Sequence, residues 1–224
     1  MNKILSLYVS PTKVFTNLKE KPEWFMPLII VLIVIALSTA LTVSMTRETI
    51  IAHQEEAMRN QGMSEERIEE AMKMTSGPFL VISSVIGAIL FTLIIILLFS
   101  FVLNIFIPLF HGKSAFKNVF SVICYSSLIK VLSAILRLIM VAITKSPYVT
   151  ASLALFAPNI AKASFVYRVL IGFDFFIFWE MVLVAMGINI TNELEKKNAY
   201  ILVFLIWIAS IFIGAALGVF GPRR

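Results

Sequence analysis

Apolar positions along the chain gather in long blocks, and polar positions gather between them. Five blocks qualify as membrane spans: roughly 25–46, 79–110, 118–144, 165–187 and 199–220. A hydrocarbon core of about 30 Å takes about 20 residues at 1.5 Å each. The second block has no Asp, Glu, Lys or Arg from Pro78 to Phe110. It is longer than a perpendicular crossing needs, so it must tilt, kink or protrude, and Pro108 favours a break near its end. The fold expected is all-α: a polytopic membrane protein with a five-transmembrane-helix bundle.

Two polar stretches carry patterns of their own. In residues 1–24, Ser10 followed by Pro11 is a helix-start signal, and Val14, Phe15 and Leu18 share one helical face with Lys13 and Lys19 off it. This predicts a short amphipathic helix lying in the headgroup layer, with Trp24 at the interface. Residues 47–77 hold Glu48, Glu55, Glu56, Glu65, Glu66, Glu69 and Glu70 and no aromatic residue. The stretches TRETIIAHQEEAMRNQ and SEERIEEAMKM meet at Gly62, with Ser64 placed to cap the second and Glu65 and Glu66 suiting its positive end. A helical hairpin between the first and second spans is expected, either as a solvated cap over the bundle mouth or as a docking surface.

Composition strengthens the membrane reading. Of 224 residues, 59% are hydrophobic and 14% charged, and the mean hydropathy is +0.94. A soluble domain is about 45 to 50% apolar and about 25% charged. The formal charge of +6 and pI near 9.5 come from short basic groups beside apolar runs, which suits anionic lipid headgroups rather than nucleic acid. Lys3, Lys13, Lys19, Lys21, Lys113, Lys117, Lys196 and Lys197 fall on one side of the implied topology. An equal number, Arg47, Arg59, Arg67, Lys73, Lys145, Lys162, Arg223 and Arg224, fall on the other. The first set lies in shorter segments, which favours a cytoplasmic amino terminus. The first long apolar run begins after Trp24 and is too long for a signal-peptide core. Cys124 is the one cysteine and reads as a small buried hydrophobe.

Four ionisable residues fall well inside spans: Lys130, Arg137, Asp174 and Glu180. Each costs about 2.5 to 3.5 kcal/mol at a bilayer centre, so each should be satisfied by protein or water. Ser126, Lys130, Ser133 and Arg137 recur at spacings that put all four on one helical face, a polar seam. Counted from the 145–164 connection, Arg137 lies about 10 Å deep and Asp174 about 14 Å, while Lys130 lies about 21 Å deep and Glu180 about 23 Å. The depths predict two stacked ion pairs, Arg137 with Asp174 and Lys130 with Glu180. Asp174 and Glu180 lie about 120° apart around one helix, so both pairs form only if that helix rotates. A polar pathway for a proton, ion or lipid headgroup is the alternative use of the seam, and snorkelling to the interface a third, mainly for Arg137. Small residues at helical spacing, Gly214 with Gly218, Ala36 with Ala40, and Ser83 with Gly87, are candidate helix-packing positions within the chain or in a dimer seam.

Other motifs fail. Gly112, Lys113 and Ser114 end like a P-loop, but Ile107 stands where its first glycine belongs. His53 and His111 have no metal-ligand spacing. The triplet Asn189, Ile190, Thr191 faces the cytoplasm on this topology, where glycosylation is meaningless. No nucleophile with a base and an orienting group is visible. Hence no catalytic, metal or cofactor site is expected.

Four stretches resemble the bacterial branch of the Yip domain family, the Ypt/Rab-interacting integral membrane proteins. They are SPTKVFTNLKEKPEWFMPL, QGMSEERIEEAMKM, GKSAFKNVFSVICYSSL and FDFFIFWEMVLVAMGINITNELEKKNAY, and together they touch most of the chain. The resemblance implies five transmembrane helices with a cytoplasmic amino terminus, here in a bacterial cytoplasmic (inner) membrane. It implies vesicle traffic through Rab-type GTPases in eukaryotic members, and companions such as ABC-type exporters in envelope-stress defence for some bacterial ones. The function expected is a non-enzymatic scaffold or accessory factor. It would pack helices in the lipid bilayer with itself, as a homo-oligomer, or with another membrane protein. The rival is a small transporter or lipid-moving protein using the polar seam.

Overall fold

The computed structural model describes residues 3–75 and 77–218, and among these it is helical almost throughout. Two short helices, α1 (Lys3–Val9) and α2 (Pro11–Glu20), precede the long α3 (Phe25–Met45). Next come α4 (Arg47–Asn60) and α5 (Glu65–Thr75), then α6 (Pro78–Phe106), which a 3-10 turn at Ile107–Phe110 extends. After it come α7 (Phe116–Ser126), α8 (Ile129–Thr144), α9 (Phe165–Gly172), α10 (Phe175–Thr191) and α11 (Lys196–Ala216).

Four stretches are long and apolar enough to cross a membrane: Phe25–Met45, Pro78–Phe110, Phe116–Thr144 and Lys196–Ala216. Phe175–Thr191 is a fifth, shorter apolar helix. Large side chains such as Leu90, Ile94 and Phe101 on α6 stand exposed on its outer face. An apolar surface this long on a folded chain belongs in lipid.

Two expected spans are interrupted, and a third ends early. The third bends at Ser127 and Leu128, between α7 and α8. The fourth breaks at Phe173, so that α9 and α10 replace one helix over 165–187 and α10 runs on to Thr191. The fifth ends at Ala216, and residues 219 and 220 of its expected range lie outside the described residues. The expected break after the second span is present, with Pro108 inside the 3-10 turn and His111 in left-handed backbone at φ 64°.

The hairpin forms as α4 and α5. Gly62 makes the turn at φ 76°, where a side chain is disfavoured. Arg59 then clamps Glu65 with two N–H bonds of 2.9 and 3.1 Å. Ile68 and Met72 are buried on the inner side of α5.

The amphipathic face of α2 differs from its expected setting. Val14, Phe15 and Leu18 are fully buried, packed in one core with Val119 and Val122 of α7 and Val184 and Ile188 of α10. Gly187 admits this approach: a Cβ there would collide with Val122 and stand 3.1 Å from the Phe15 ring. Protein, rather than headgroups, covers that face.

Candidate functional site

The third span bends where two serines interrupt its apolar run. Ser127 and Leu128 stay right-handed, but the amide of Lys130 donates to the Ser127 carbonyl at 3.0 Å and that of Val131 to the Leu128 carbonyl at 3.0 Å. These are three-residue bonds, which tighten the turn. The Tyr8 hydroxyl of α1 donates to the Leu128 carbonyl at 2.8 Å. A backbone acceptor at membrane depth thus gains a partner from a distant helix, as lipid surroundings require.

Glu180 of α10 faces this bend. Its Oε1 accepts from Lys130 Nζ at 2.8 Å and from the Ser127 hydroxyl at 2.6 Å, and Lys130 also donates to Ser127 Oγ at 3.1 Å. Glu180 is 4% exposed, whereas the Lys130 side chain keeps 28%. Three groups therefore close a triangle around one carboxylate oxygen. A buried charge is tolerated when its charge and its hydrogen bonds are met together. The expected seam member Ser126 is buried with no hydrogen-bond partner for its hydroxyl, and Ser127, one position on, supplies the contact instead. The tightened turn shifts the helical phase, so a face drawn through a straight helix selects the wrong serine.

The other expected pair is not formed. The Arg137 guanidinium donates to the Pro147 carbonyl at 3.2 Å. Asp174 caps α10, its Oδ1 accepting from the amides of Phe176 at 2.8 Å and Ile177 at 3.2 Å. The break at Phe173 creates a new helix start with unsatisfied N–H groups, and the carboxylate answers those. Segment 151–153 pairs with 173–175 beside it: the Phe175 amide donates to Ala151 at 3.1 Å, and the Leu153 amide to Phe173 at 3.1 Å. Ser133, Arg137 and Asp174 nonetheless line one cleft of about 110 Å³, with Leu136, Met140, Val149, Thr150 and Ala151.

Away from the lipid, a second cluster ties three segments at one end of the bundle. The Lys113 amide donates to the Asn192 carbonyl and Asn192 Nδ2 to the Lys113 carbonyl, both at 2.8 Å. Glu193, in left-handed backbone at φ 56°, meets Lys113 at 2.6 Å and Lys19 of α2 at 3.0 Å. Lys113 first, then Lys19, holds the Glu193 carboxyl below the usual carboxylate range. A Cβ at Gly112 would collide with Leu194, so this junction also needs glycine. At the opposite end, the His53 ring stands edge-on to Tyr148 at 5.2 Å, and Arg168 donates to the Ala215 carbonyl at 3.4 Å. Sequence reasoning missed Tyr8, Ser127, the Lys113, Asn192 and Glu193 junction, and Arg168. The available signals were the doubled serine at the bend and the lone Arg168 in an apolar run.

The small-residue positions scatter. Gly214 is buried in α11, but Gly218 lies past its end in left-handed backbone at φ 68°, where it ends the helix instead of extending a packing stripe. Ala36 and Ala40 are half-buried on α3. Ser83 and Gly87 are exposed on α6, and nothing lies within 4 Å of a Cβ placed at Gly87. Among the described residues no cluster of His, Cys, Asp and Glu is assembled to hold a metal.

Residues 5–218 match the Yip1 domain. The chain belongs to the Yip1 domain family. A relative within reach of this Yip1 domain protein is the membrane protein YknW of Bacillus subtilis (strain 168), 25% identical over 219 residues. That alignment covers 97% of this chain and 87% of YknW. No solved structure matches the chain. Family membership and the apolar helices together make it a multi-pass membrane protein.

Proposed function

We propose that this Yip1 domain protein is a non-enzymatic scaffold or accessory factor of a bacterial cytoplasmic membrane. It crosses five times with its amino terminus in the cytoplasm, and it acts by packing against itself or another membrane protein, such as an ABC-type exporter. The observation that carries this reading is the closed triangle of Lys130, Ser127 and Glu180. The deepest charges are committed to one another and offer no open relay, while α6 presents a long uncharged face outward. The five-crossing topology is supported by the junction of Lys19, Lys113 and Glu193, which puts α2 and the connections before α7 and α11 at one end.

The test is crosslinking in native membranes, solubilisation in mild detergent, affinity capture and mass spectrometry. A stoichiometric membrane protein or a second copy is expected. Recovery of an uncrosslinked monomer alone would remove the proposal. A second reading, a small transporter or lipid-moving protein, is favoured by the cleft at Ser133, Arg137 and Asp174. It predicts measurable flux or lipid exchange in proteoliposomes, lost on charge removal at the cleft.

A further inference from the structure

The cleft between α8, the 149–151 segment and the start of α10 holds a cation and an anion side by side without joining them. Arg137 has five N–H donors, and one goes to the Pro147 carbonyl. The Asp174 carboxylate accepts from the amides of Phe176 and Ile177 and is also met by the backbone of Ala151, yet a carboxylate has about four acceptor sites. The hydroxyls of Ser133 and Thr150 add two groups that can donate or accept. Leu136, Met140 and Val149 make up the apolar wall. Along α8 on the bilayer-centre side of Arg137, Ile135 and Leu136 stand exposed, Ile135 at 53%.

These features select a ligand. A simple anion attracted by Arg137 meets the carboxylate of Asp174, and a simple cation meets the guanidinium, a like-charge contact that specific sites avoid. A molecule carrying both signs a short distance apart satisfies both walls. Guanidinium matches phosphate in a bidentate fork, better than a point charge does. An ammonium that keeps its N–H donors can hydrogen-bond a carboxylate, and a quaternary one cannot. The exposed Ile135 and Leu136, deeper along α8 than Arg137, offer acyl chains a surface to lie on.

We propose that this cleft binds the headgroup of a zwitterionic phospholipid with a primary ammonium, of the phosphoethanolamine type, phosphate on Arg137 and ammonium on Asp174. The site does not depend on the scaffold reading, since a docking factor and a lipid-moving protein can both hold a lipid there. Failure to capture a protein partner leaves it standing.

The experiment uses the full chain in nanodiscs of equal parts phosphatidylethanolamine, phosphatidylcholine and phosphatidylglycerol, released into detergent and read for retained lipid by native mass spectrometry. The wild type is expected to retain phosphatidylethanolamine several-fold over the other two. Asp174→Asn keeps a capping side chain and should lose the preference over phosphatidylcholine. Arg137→Gln should lose retention of all three, and Arg137→Lys should regain part of it. Thermal unfolding of each variant reports folding, so Asp174→Asn and Arg137→Lys serve if Arg137→Gln is unstable. Free phosphoethanolamine, added at millimolar concentration to delipidated protein, distinguishes a lipid from a soluble zwitterion. Equal retention of the three lipids by the wild type, or an unchanged preference in both Asp174→Asn and Arg137→Lys, would overturn the proposal. So would binding of free phosphoethanolamine with no retained lipid.

Discussion

Lys130 Nζ stands 2.8 Å from Glu180 Oε1, across the bend that separates α7 from α8, with the Ser127 hydroxyl on the same oxygen. Removing one partner strands a buried charge, which costs about 3–5 kcal/mol, while replacing both with apolar groups is often close to neutral. Lys130→Met alone should therefore lower the thermal midpoint in detergent sharply. Lys130→Met with Glu180→Met should recover most of the loss. A single variant as mild as the double would show that the pair is not coupled.

Glu193 supplies the pH dependence outside the membrane. Its carboxyl is held low in the folded chain by Lys113 and then Lys19, so its contribution is present above the unfolded carboxyl's value. That contribution is lost as pH falls through the lower folded value. Hydrogen exchange of residues 111–118 and 192–196 should be slow at neutral pH and rise on acidification below the usual carboxylate range. Glu193→Gln should exchange faster at neutral pH and show little further change, and a wild-type-like profile in that variant would assign the dependence elsewhere.

Two glycines make opposite predictions. A Cβ at Gly187 collides with Val122 and crowds Phe15, so Gly187→Ala should destabilise the bundle by about 1–3 kcal/mol. At Gly87 the surrounding space is open, and Gly87→Ala should leave the thermal midpoint unchanged. A lowered midpoint or a changed oligomeric size for Gly87→Ala would place a protein neighbour against that part of α6.

Depth along a span was legible from sequence because it needs only the rise per residue, and this is why Lys130 and Glu180 meet as expected. Rotation was not, because phase carries through a helix only while the helix is unbroken. The break at Phe173 turns Asp174 into a cap, and the turn at Ser127 replaces Ser126 in the contact. Gly172, Phe173 and Asp174 do carry the signal of a helix end followed by a cap, but it is masked inside an apolar run. The apolar face of α2 was legible and its partner was not, since Val14, Phe15 and Leu18 suit lipid and protein equally. The Lys113, Asn192 and Glu193 junction joins residues far apart in the chain, which no local spacing reveals.

The hydrogen bond from Tyr8 to the Leu128 carbonyl spans 120 positions of sequence. The amino-terminal helices are synthesised long before α10, against which α2 packs, so they must wait undocked during insertion of the spans between. Closure of the assembled protein is thus timed by translation. A bulky fusion placed beside Tyr8 should trap the insertion intermediate, whereas the same fusion on the α4–α5 turn should not.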